Sequence, residues 1–174
     1  MATYQNIGDI YDEIDAVRAR LMARAEALTP EQAAFRPQPE SWTPAELLEH
    51  LSLTESGICR MFEIMLSRPG VADAGNGFQP FSLDELAAQA AGRMFQAPER
   101  IAPQCKTTLA ASLESLKQSR AAMHALRPRI EAADLSQQTM PHPAFGPING
   151  YQWLAFLGAH EARHAAQLKR ILGG

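Results

Sequence analysis

An all-α fold, a four-helix bundle, is predicted by three observations on the sequence. Four long segments place apolar residues three and four apart, the spacing of one helix face. Reciprocal capping sequences recur along the chain, as in Thr43 with Glu46 and Asn149 with Gln152. No segment alternates apolar and polar residues with the period of a half-buried strand.

The first long helix spans about residues 4 to 28, where Ile7, Ile10, Ile14, Val17, Leu21 and Leu28 form its stripe. Thr29-Pro30-Glu31-Gln32 then starts a helix with proline at its first position, which Pro37 and Pro39 limit to a turn or so. Thr43-Pro44-Ala45-Glu46 opens the second long helix, which should run to about Arg68 and stop at Pro69-Gly70. Its buried face reads Leu47, His50, Leu51, Thr54, Ile58, Met61, Phe62 and Met65.

A long connection follows, carrying a short accessory helix from Ser82 to about Phe95. Leu109, Leu113, Leu116, Met123 and Ile130 mark the third long helix, which Pro128 should kink or end near Arg127. Its stripe is broken at Arg120, either to hold a substrate anion or to make a structural ion pair, and the ion pair is the reading carried forward. Residues 132 to 149 read as a loop punctuated by Pro141, Pro143, Gly146 and Pro147, and the fourth long helix begins at Asn149 and ends before Gly173.

At 174 residues the chain forms one domain, 1–174, and can bury about 70% of its unfolded surface without a metal or disulfide. Hydrophobic content of 46% with 20% charged residues fits an ordinary globular protein. A net charge of -3 with no block of Lys or Arg argues against a nucleic-acid partner. No apolar run approaches the roughly 18 residues of a membrane span, and the start lacks a charged and then apolar leader, so a cytoplasmic location is expected. Cys59 and Cys105 fit neither a disulfide framework nor a metal clip and are read as reduced.

Chemistry concentrates in the last helix. Its stripe of Trp153, Phe156, Leu157, Leu168 and Ile171 contains His160 and His164, four residues apart, whose Cβ atoms should lie about 6 Å from one another. Two imidazoles so placed can converge on one ion. His50 supplies a third, because it sits roughly 10 Å from the start of its helix and His164 roughly 12 Å from the end of its own. The three share a layer only if these helices are antiparallel. His124 reads as a boundary residue, and His142 lies in the loop, roughly 25 Å along the chain from His160 if that loop is extended.

His160-Glu161-Ala162-Arg163-His164 also matches the HExxH pattern, in which Glu161 would be the general base of a zinc protease. That reading is set aside: the residues after His164 include no His, Asp or Glu, and a bundle offers no edge strand to a peptide. Glu161 is left as a solvated carboxylate or one that supports a ligand.

The chain resembles the DinB/YfiT-like superfamily of four-helix-bundle metalloproteins. The resemblance rests on Ser41-Trp42-Thr43-Pro44 with Glu46, Leu47 and His50, on His142-Pro143-Ala144-Phe145-Gly146-Pro147, and on His160-Glu161-Ala162-Arg163-His164 with Gln167 and Ile171. It implies an up-down-down-up bundle, a divalent metal held by His50, His160 and His164, and a homodimer. It further implies a site rim of Leu28, Phe35, Trp42, Arg100, Ile101, Cys105 and Leu168.

The function expected is metal-dependent small-molecule chemistry, because three neutral nitrogens leave a Zn, Ni, Fe or Mn ion its charge and an open position. The resemblance favours a thiol-dependent transferase using a low-molecular-weight thiol. The alternatives are a metal-dependent hydrolase and a non-catalytic ligand-binding or dimerisation module.

Overall fold

The structure, a computed structural model, describes residues 3–71, 75–90, 97–104 and 107–173. Four long helices form the bundle: α1 (Ile7–Ala25), α3 (Pro44–Leu66), α5 (Leu109–Ala132) and α6 (Gly150–Ile171). Two short ones, α2 (Pro30–Ala34) and α4 (Asp84–Ala90), lie in the connections. The capping boxes predicted at Thr29, Thr43 and Asn149 are all formed, and Asn6 makes one with Asp9 at the start of α1. Each satisfies two backbone donors that a helix start otherwise leaves open. The accessory helix begins at Asp84; its expected extension towards Phe95 lies outside the described residues.

Two expectations are corrected. Of the kink or end expected at Pro128, the end near Arg127 does not occur, and α5 passes through Pro128 to Ala132. Pro128 removes one hydrogen bond near the helix end, while Ile130 beyond it is fully buried and holds the last turn to the core. The stretch read as a strandless loop contains an antiparallel hairpin, β3 (Thr139–His142) with β4 (Gly146–Asn149). Pro141 and Pro147 face one another in it and mask the strand pattern, and Gly146 adopts a positive φ of 71° where the chain reverses. A second pair, β1 (Thr3–Tyr4) with β2 (Phe81–Ser82), is too short to show a period and ties the chain start to the long connection.

Side-chain contacts fix how the helices run. Ile14 packs on Gly158 and Arg18 reaches Glu161, so α1 and α6 run the same way. Gly158 is needed there, since a Cβ at that position would lie 2.9 Å from the Ile14 side chain. Tyr11 donates to the Met123 carbonyl and Arg18 to that of Leu116, making α5 antiparallel to α1. Leu47 and Leu51, early in α3, share a core cluster with Leu168, late in α6, while Ile58 and Phe62 share another with Leu154 and Leu157, so those two helices are antiparallel and His50 meets His160 between the clusters. The apolar core has two parts: one around Ile14, Ile58, Phe62, Met123 and Leu157, the other around Leu21, Leu47, Leu51, Leu116 and Leu168.

Candidate metal centre

The antiparallel contact of α3 and α6 is what the three-histidine reading required, and His50, His160 and His164 do come together. All are buried, and one nitrogen from each lies within 4.8 Å of the others. The Nε2 atoms of His50 and His160 are 3.2 Å apart. Nitrogens bonded to one tetrahedral zinc would be about 3.3 Å apart, from metal-nitrogen bonds of 2.0–2.1 Å.

Hydrogen bonds determine which nitrogens face inward. His50 Nδ1 is 2.7 Å from the Ile101 carbonyl, which only accepts, so Nδ1 carries the proton and Nε2 the lone pair. In His164, Nε2 is 2.7 Å from the Arg163 guanidinium, which only donates, while Nδ1 donates to Gln167 Oε1 at 2.9 Å. Both residues therefore carry an unprotonated Nε2, which in His50 faces His160, with the other nitrogen fixed by a carbonyl oxygen, as in metal-binding histidines generally. Burial above all holds the three imidazoles below their ordinary pKa, with the Arg163 charge adding to it; His160 lies well below and His164 at about 3. They are neutral at physiological pH, the form that binds metal.

The rim residues divide. Trp42 walls the cluster, its ring 4.8 Å from that of His50 and 6.3 Å from that of His164, which is more than end-packing. Ile101 contributes the carbonyl that orients His50. Leu168 is fully buried in the adjoining core and Leu28 packs against it. Phe35 and Arg100 are exposed, and Cys105 lies outside the described residues. Cys59 is buried in the other part of the core, its thiol donating to the Ser119 carbonyl and pushed up to about 12 by burial.

His142 is nearer the site than its chain distance suggested. The hairpin brings it onto Phe156, 4.4 Å between ring centroids, and Phe156 lies 5.3 Å from His160. His124, as expected, sits at the boundary, 3.0 Å from Asp15.

Glu161 is neither solvated nor directed at a ligand. It belongs to a buried ionic quartet with one member from each long helix: Arg18, Glu55, Arg120 and Glu161. Arg18 Nε donates to Glu161 at 2.5 Å and its Nη2 pairs with Glu55. Arg120 donates to Glu55 at 2.9 Å and Glu161 at 3.0 Å, with Ser119 adding a hydroxyl to Glu55. Burial works against a charge on Arg18, yet Glu161 and Glu55 hold its pKa above the ordinary value. Arg120 is thus a structural ion-pair residue, also reaching Asp15 and the Ile14 carbonyl.

The sequence reading missed Arg18 and Glu55, although a signal existed. Each quartet member stands four residues after one buried apolar residue and three before the next buried position: Ile14 and Leu21, Leu51 and Ile58, Leu116 and Met123, Leu157 and His164. A charge in phase with an apolar stripe is a buried charge.

A shallow groove of about 700 Å³ runs between α1 and α6, lined by Val17, Arg20, Arg24, Ala162 and Ala165 among others, on the face of α6 turned from His160 and His164. Among the described residues, no helix is long and apolar enough to cross a membrane.

Comparison with known proteins follows the same lines. The model of a family described as the DinB superfamily matches residues 13–168. An uncharacterized protein of Bacillus subtilis (strain 168), YuaE, is 25% identical over 150 residues, 83% of this chain and 85% of that protein. Two solved structures share the fold. TT2238, a four-helix bundle protein, has a TM-score of 0.63 at 22% identity, covering 95% of this chain and 99% of its own. YfiT from Bacillus subtilis, described as a probable metal-dependent hydrolase with an unusual four-helix bundle topology, has a TM-score of 0.57 at 16% identity, covering 96% of this chain and 87% of its own.

Proposed function

This chain belongs to the DinB superfamily, and from that premise we propose that it is a metal-dependent enzyme of small-molecule chemistry, using a divalent ion held by His50, His160 and His164. The observation that carries the proposal is the convergence of three ring nitrogens: two helices bring three neutral imidazoles to within 4.8 Å of one another, and hydrogen bonds to Ile101 and Gln167 set the tautomers of two of them. A Zn, Ni, Fe or Mn ion there would acidify a thiol or water reaching its open position. To bind such an ion through Nε2, His160 would carry its proton on Nδ1 instead, and Trp42 would exclude water from one side.

Transfer of a low-molecular-weight thiol to an electrophile is the reaction we favour. A hydrolase gains from a carboxylate base at the metal, and Glu161, the residue the HExxH pattern offers, is committed to Arg18 and Arg120. Thiol transfer needs no such base, because ionisation of the thiol already supplies the nucleophile. Hydrolysis is the second reading, favoured by the description of YfiT.

Elemental analysis of protein purified without chelators should find one divalent ion per chain. His160→Ala should lose that ion, weakening affinity by more than about 100-fold, yet remain folded in a thermal melt, since the core does not depend on the ion. Metal-loaded protein should conjugate a small thiol to a chlorinated aromatic acceptor; turnover no greater than that of His50→Ala rejects the transferase, and ester cleavage without thiol selects the hydrolase.

A further inference from the structure

Arg163 stands between the two histidines of α6 and plays no part in the ionic quartet. Among the described residues, its guanidinium has no carboxylate partner; its polar contact is His164 Nε2, at 2.7 Å. The residue is exposed, though desolvation of its guanidinium beside the histidines lowers its pKa. The bond is unusual in what it uses, since the lone pair that accepts from Arg163 is the one His164 would offer an ion. An ion on that nitrogen therefore displaces Arg163, which nonetheless stays tethered one residue from a ligand.

The charges then decide what Arg163 does. Three neutral imidazoles leave a divalent ion its full charge, and Glu161, the nearest carboxylate in sequence, is already balanced by two arginines. A guanidinium beside such an ion repels it, unless an anion lies between them. A carboxylate suits that place: one oxygen can meet the ion while the planar N–H fork of arginine engages the other.

We infer that Arg163 is the substrate-binding residue of the metal site, that it recognises a small-molecule carboxylate at the ion, beside the position taken by thiol or water, and that without an ion it closes on His164 instead. The inference rests on the three-histidine reading but not on the choice between thiol and water.

Cobalt(II) and acetate test it. The visible spectrum of the cobalt-loaded protein reports metal uptake, and its change on titration with acetate reports carboxylate binding. Arg163→Met should take up cobalt at least as tightly as the parent protein, because a competing hydrogen bond and a nearby positive charge are gone. Its acetate affinity should fall by about 10-fold or more, the worth of a charged hydrogen bond. Arg163→Lys, keeping the charge without the fork, should fall between. An unchanged acetate affinity in Arg163→Met, or a loss of cobalt affinity in that variant, overturns the role given to Arg163. Failure of the parent protein to take up cobalt overturns the metal site itself, and this inference with it.

Discussion

Two polar layers cross the interior of this bundle, and they meet on α6, where Glu161 directly follows His160. The quartet of Arg18, Glu55, Arg120 and Glu161 is closed: each charge faces opposite charges, and among the described residues no buried side-chain nitrogen or oxygen lacks a partner. The histidine layer is held from outside, by Ile101 and Gln167, while its inner nitrogens face one another and borrow Arg163 as a donor. A buried polar cluster that satisfies itself serves the fold. One whose lone pairs converge is shaped for something else.

The contrast can be broken most severely at the quartet. Arg120→Met leaves the buried carboxylates of Glu55 and Glu161 to share Arg18 and should lower stability by about 3–5 kcal/mol, read from urea unfolding. Replacing all four charges by Met and Leu should instead be nearly neutral or stabilising, by up to about 4 kcal/mol. A mild effect of Arg120→Met would mean that water, and not pairing, satisfies this layer. His160→Ala is the matching change in the other layer and should leave the bundle folded.

Acid sharpens the comparison. Burial lowers the pKa of His142 to about 4 and that of His164 to about 3, against 6.5 for an ordinary imidazole. Below about pH 6.5 the unfolded chain takes up protons that the folded chain refuses, so stability falls as pH drops and the loss levels off only below the folded values. His142→Phe removes one such group while keeping a ring among Phe145, Trp153 and Phe156, and should make the decline between pH 6.5 and 4 shallower. An unaltered acid limb would show that His142 is protonated in place.

The smallest effect is expected at the start of α3. Thr43→Ala removes the cap oxygen that accepts from Glu46 N and should cost about 1 kcal/mol by urea unfolding, with metal affinity little changed because His50 lies nearly two turns further on. A large fall in metal affinity would place the helix start, and not the packing of Trp42 and Ile101, in control of His50.

Much of this was legible without coordinates. The periods of the four long helices and the caps at Thr29, Thr43 and Asn149 are local, so neighbouring residues encode them. The depth of His50 in its helix was equally readable, and needed only the antiparallel packing of α3 and α6 to meet His160 and His164. The hairpin was hidden because two prolines occupy its paired positions, and α5 outran Pro128 because Ile130 is anchored by residues distant in sequence. The composition of the quartet could have been suspected from four charges in phase with apolar stripes. Which carboxylate meets which arginine could not, since each pairing joins different helices.

By itself, then, the sequence determined the helices, their caps and the three histidines, because helix period and capping act within a few residues. Only the tertiary structure decided that Glu161 serves the fold and that Arg163 faces a ligand nitrogen. Those two residues are neighbours on one helix turn, and their roles differ because the rotation of α6 turns one into the four-helix core and leaves the other at the edge of the histidine layer.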